Sequence, residues 1–150
     1  MFFYGFAHGS LVVQGDASAT FHNIKSSNLL FKVEILDWVI ILITDIVVAW
    51  AFYVFLKSIN KNLSLLGAWF RLTYVTILGI DILNLIFVLF LTQSTDYLSS
   101  FKTDQLQAHM TLFLEAFECM WSIGLIIFGG HLPCLFLSNF YKVFYLKSFL

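Results

Sequence analysis

Three carboxylates, Asp45, Asp81 and Glu118, stand inside long apolar stretches of the chain. An ionised side chain at the centre of a bilayer costs about 2.5–3.5 kcal/mol on the insertion scale. At about 1.5 Å per residue from the ends of their runs, Asp45 lies about 16 Å deep and Asp81 about 20 Å deep. Glu118 falls near the middle of its own stretch. Three such acids cannot all stay ionised without a cation, and an intramembrane acid cluster is what a proton or cation pathway needs. The competing reading is satisfied polar packing, with Asp81 bonded to Asn84 three residues on, or to Thr76 or Thr44. His131, two residues before Pro133, completes the candidate set. It is either a relay or ligand contact, or is bonded to backbone that the proline leaves unpaired.

Other chemistry finds little support. His8, His22, His109 and His131 show no metal-ligand spacing. Glu115 and Glu118 share a helix face, but no Glu-x-x-His accompanies them, so a di-iron bundle site is not expected. No catalytic triad, HExxH, phosphate loop or dinucleotide fingerprint occurs. Cys119 and Cys134 lie in a hydrophobic run without CxxC or zinc spacing and read as buried thiols. Neither an enzyme nor a metal or other cofactor is expected.

The elements that would carry these residues are helices built for lipid. Of 150 residues, 60% are hydrophobic, 19% aromatic and only 11% charged, whereas soluble domains carry about a quarter charged residues. Mean hydropathy is +0.89. A net charge of −1 and the lack of a basic patch argue against nucleic acid as a partner. The partners implied are the bilayer and other membrane helices, including further copies of the chain.

Residues 1–13 read as the end of a hydrophobic helix. Gly15-Asp16 marks a turn, and Asp16 is a good N-cap for a short amphipathic helix from Ala17 to about Ser26. Three spans follow at about 35–56, 68–91 and 113–137, each near the twenty residues that one crossing needs. The third is preceded by an interfacial lead-in from Leu106. In the first span, Trp38 near one end and Trp50 and Tyr53 near the other resemble interfacial belts. Glu34 and Asp45, eleven residues apart, fall on one stripe of that helix. Arg71 at the start of the second span is placed to snorkel to headgroups. Gly124, Gly129 and Gly130 suit close helix packing, and Pro133 predicts a kink. Residues 138–150 read as an interfacial tail. The fold class is all-α, a helical bundle integral to a membrane.

Lys57 and Lys61 occupy the first loop without an acid, and Lys142 and Lys147 occupy the tail without one. The positive-inside rule therefore places that loop and the C-terminus in the cytoplasm. The sequon Asn62-Leu63-Ser64 would then face the cytoplasm and is discounted.

Three strings, VVQGDASATFHNI, LKSINKNLSLLGAWFRL and IGLIIFGGHLPCLFL, occur in that order. Together they resemble a bacterial multi-pass membrane family known as DUF4386, a domain of unknown function, over about residues 8–137. The middle string is the most specific, with Ile59-Asn60-Lys61-Asn62-Leu63 and then Phe70-Arg71-Leu72. The first matches at Gly15-Asp16-Ala17 and Ala19-Thr20, with Gln14 where the family tends to have proline. The third matches at Ile123-Gly124-Leu125 and from Gly129 through His131 to Leu132, with Gly130 and Pro133 at usually apolar places. The resemblance implies a bacterial inner-membrane helical bundle of about six helices without assigned chemistry. It also implies that this chain is shortened at both ends relative to the family.

Overall fold

The computed structural model describes residues 8–58, 60–93, 98 and 100–147, with side chains described through residue 130 and at Pro133 and Phe136. The described residues form helices and connecting turns, with no strand. After a helical stretch at 8–11 come α1 (Ala17–Ser26), α2 (Asn28–Leu56), α3 (Lys61–Thr92) and α4 (Thr103–Lys147). Three of these are long and apolar enough to cross a membrane, over Asn28–Leu56, Lys61–Thr92 and Thr103–Gly130. In hydrocarbon each backbone N–H and C=O needs an internal partner, so apolar runs rich in Ile and Val, poor helix formers in water, are nonetheless helical.

The start of α1 follows from three adjacent residues. Gly15 takes φ +81°, a left-handed conformation that glycine reaches without steric penalty. Asp16 is extended, and its Oδ1 accepts from the Ala19 amide at 2.8 Å. Thr20 Oγ1 accepts from the Val13 amide at 3.0 Å and donates to the Asp16 carbonyl at 2.9 Å. Ser27 alone separates α1 from α2. Its amide bonds the Asn23 carbonyl at 2.9 Å, and its carbonyl accepts from Phe31 at 3.2 Å.

The turn into α3 is equally specified. Asn60 Oδ1 accepts from the Leu63 amide at 3.1 Å, which caps the helix. Ser64 Oγ donates to the Tyr53 carbonyl at 2.9 Å and so ties the beginning of α3 to the end of α2.

Burial follows helical spacing. On α2 the buried stripe includes Phe31, Glu34, Trp38, Ala49 and Leu56, while Leu36, Ile40, Val47, Trp50 and Phe55 are exposed. That outer face has the composition of a lipid-contacting surface. On α3, Ser64, Gly67, Arg71, Tyr74, Leu78, Asp81, Leu85, Val88 and Thr92 are all buried, at alternating steps of three and four. A ridge with that period is what a packed helix presents to its neighbours. The lead-in, the third span and the tail as far as Lys147 lie along the one helix α4, and residues 148–150 lie outside the described residues.

Contacts divide the chain into two compact units. One comprises the residues through Ile41 together with Gly79–Met120; the other comprises Leu42–Leu78 and the residues from Trp121 onward.

Two single-residue expectations are corrected. Trp38 is buried and packs edge-on against Phe117, with centroids 5.4 Å apart, so it is not an interfacial anchor. Cys119 is an exposed thiol. Its run is hydrophobic all round, so hydropathy alone could not say which side faces outward. Cys134 lies outside the residues with described side chains.

Candidate functional site

In the unit containing Leu42–Leu78, the polar centre is an ion pair. Arg71 Nη2 on α3 donates to Asp45 Oδ1 on α2. The two side chains retain only 11% and 15% of their exposure. The guanidinium carbon lies 5.1 Å from the ring centroid of Phe128 and 6.0 Å from that of Phe52, within the range of cation–π attraction. Phe128 also packs against Tyr74, with centroids 5.2 Å apart.

Gly124 makes room for that ring pair, since a Cβ there would stand 3.4 Å from Tyr74 Cδ2. Gly130 does the same for Phe70 at 3.6 Å, whereas Gly129 has open space around it. Arg71 therefore turns inward to a carboxylate instead of snorkelling outward. Its Nε has no hydrogen-bond partner.

In the other unit, His8 is the hub. Its Nδ1 is 3.0 Å from Glu34 Oε1, and its Nε2 is 3.7 Å from Glu118 Oε1. Glu34 is 1% exposed and its Oε2 has no partner, whereas the Glu118 side chain is 55% exposed. Glu118 also lines a cavity of about 350 Å³ together with Asp16, Thr20 and Glu115. A buried carboxylate, an imidazole and an exposed carboxylate thus stand in series.

Asp81 belongs to the same unit. It is fully buried, and neither carboxylate oxygen has a hydrogen-bond partner. The bonds expected for it are not made: Asn84 Nδ2 points to Met120 Sδ at 3.7 Å, and Thr76 Oγ1 donates to the Leu72 carbonyl of its own helix at 2.9 Å.

Of the residues singled out in the sequence, Asp45 thus meets Arg71, Glu118 meets His8, and Asp81 is buried unbonded. Asp45 lies in a different unit from Asp81 and Glu118. Among the described residues no three His, Cys, Asp or Glu side chains are grouped as a metal site. His131 is a residue of α4 whose side chain lies outside those described.

The sequence reading missed His8 and Glu34 as a pair. Glu34 had a signal: it lies between Phe31 and Trp38 on the buried stripe of α2. His8 had none, being 26 residues away in the chain.

The sequence model of the family described as Domain of unknown function (DUF4386) matches residues 1–143. The chain belongs to the DUF4386 family. No curated protein and no solved structure matches it. Several of the positions that carried the resemblance to DUF4386 have structural roles. Gly15 and Asp16 form and cap the first turn, Asn60 caps α3, and Arg71 holds Asp45. Gly124 seats Tyr74, while Asn62 is exposed and makes no contact that explains it.

Proposed function

We propose that this DUF4386 member is a multi-pass protein of a bacterial inner membrane that acts as a helix-packing module, within a homo-oligomer or a larger assembly of membrane helices. Its partners are lipid and other membrane helices, with no nucleic acid, no cofactor and no catalytic step. The observation that supports this reading is the Asp45–Arg71 pair. Two charges held largely out of water are directed at each other, which fastens α2 to α3. The positive-inside rule supports a cytoplasmic location for the loop with Lys57 and Lys61 and, two spans on, for the C-terminus. In a packing role, Asp45→Ala lowers the folded yield recovered from membranes, and the reconstituted parent protein carries no ion flux.

Asp81 favours a second reading, a small proton- or cation-coupled protein. A buried carboxyl with both oxygens unbonded is a group that a proton or cation would satisfy, and buried intramembrane acids mark ion pathways often enough to warrant the test. The His8–Glu34–Glu118 series, in the same compact unit, would supply further proton-carrying groups. On this reading Asp81→Asn abolishes flux in reconstituted vesicles while the amount of inserted protein stays unchanged. Unchanged flux, or none from the parent, excludes it.

A further inference from the structure

We propose that the outer groove between α2 and α3 is a binding site for one anionic phospholipid, with an acyl chain lying between Trp50 and Trp69 and the phosphate held by Lys57 and Lys61. The site rests on the membrane location of the chain and is independent of whether the protein packs helices or couples ions.

The groove has a volume of about 350 Å³ and almost wholly apolar walls. Ile46, Trp50 and Tyr53 form one wall, and Leu65, Trp69 and Leu72 form the other. Ala49 and Ala68 lie between these larger residues, and their small side chains leave the trough open. Trp50 and Trp69 are 67% and 62% exposed. No described residue of the unit covers them, so the groove presents indole faces to whatever occupies the bilayer.

The charge lies in register with the walls. Ile46, Trp50, Tyr53 and Lys57 follow each other at steps of four, three and four. The Lys57 amide bonds the Tyr53 carbonyl at 3.0 Å, so the helical turn carries through to the lysine. On the other side Lys61, Leu65, Trp69 and Leu72 descend α3 at steps of four, four and three. Each wall therefore ends, one turn beyond its last apolar residue, in an exposed lysine. Residues 57–64 contain no acid, and the carboxylate of Asp45, farther along α2, is taken by Arg71. The N-terminal end of α3 adds its own partial positive charge at the same place.

Dimensions select a lipid. From Ile46 to Lys57 is eleven residues, or about 16 Å along the helix. That is close to half of the roughly 30 Å hydrocarbon core, so the groove matches one leaflet and its lysine end the headgroup level. A zwitterionic lipid would fill the apolar part equally well, but would leave the paired positive charge uncompensated. Preference for the anionic headgroup is expected to be roughly fivefold per lysine.

The test uses the full chain in mixed micelles, with tryptophan emission quenched by dibrominated phosphatidylglycerol or dibrominated phosphatidylcholine. Quenching by the anionic lipid should reach half-maximum at an about tenfold lower mole fraction or better. Lys57→Gln/Lys61→Gln should remove that preference while both lipids still quench, and Lys57→Arg/Lys61→Arg should keep it. Equal quenching by both lipids in the parent protein overturns the proposal, as does a preference that survives Lys57→Gln/Lys61→Gln. If neither lipid quenches while the protein is membrane-inserted and cross-links as a dimer, a second copy fills the groove and the lipid site is excluded. A protein that alkaline extraction removes from membranes would instead refute the membrane reading itself.

Discussion

Removing one member of the Asp45–Arg71 pair gives the sharpest test of the bundle's energetics. In Asp45→Leu, Arg71 keeps its place between the rings of Phe52 and Phe128 but loses its acceptor, with a side chain only 11% exposed. Breaking a buried pair by deleting one partner costs roughly 3–5 kcal/mol, because the survivor remains buried and uncompensated. Arg71 can recover part of that by extending toward headgroups, so a net loss of about 2–3 kcal/mol is expected. Arg71→Leu should lose a similar amount by stranding Asp45, whose side chain is 15% exposed. The double substitution Asp45→Leu/Arg71→Leu removes both desolvated charges and should return to within about 1 kcal/mol of the parent. The coupling energy is then about 3 kcal/mol or more. Reversible unfolding by increasing sodium dodecyl sulfate in mixed micelles, followed by tryptophan emission, gives all four stabilities. Two single variants that each lose less than about 0.5 kcal/mol, with additive effects in the double, would refute the reasoning.

Two further outcomes follow from smaller features. Gly124→Ala should be nearly neutral and Gly124→Leu should lose about 1–3 kcal/mol by overpacking, since a Cβ there just meets Tyr74 at 3.4 Å and anything longer must displace the ring; the same unfolding assay reads both. Asn60→Ala should lose about 1 kcal/mol by removing the cap of α3, and Asn60→Asp should retain most of it. The check is the midpoint of thermal unfolding in detergent.

The fold was legible because hydropathy alone identifies helices that lipid requires, and because short-range capping chemistry marks their starts. Asp16 illustrates the second point: the bond that begins α1 spans three residues and depends on nothing else in the chain. The site was legible only as a set of unusual residues. Asp45, Asp81 and Glu118 were visible as acids in apolar runs, but their partners depend on how helices are rotated against each other. Arg71 reaches Asp45 across 26 residues of sequence, as His8 reaches Glu34. A uniformly apolar helix carries no amphipathic signal to fix such rotations. For the same reason Trp38 read as an interfacial residue although it is buried against Phe117. Asn84, expected beside Asp81 on local spacing, is drawn to Met120 on another helix.

The ridge along α3 sets a rule for changes in helix length. Ser64, tied to Tyr53, and Arg71, paired with Asp45, both lie on it, seven residues and nearly two turns apart. One residue inserted between them would rotate everything beyond it by about 100°. The guanidinium would swing away from Asp45, and a residue meant for lipid would take its place. Three or four inserted residues would nearly restore the phase, and seven would restore it almost fully while adding roughly 10 Å of length. The segment from Ser64 to Arg71 is thus phase-locked like a gear tooth and its slot: it accepts side-chain substitution far more readily than the gain or loss of a single residue.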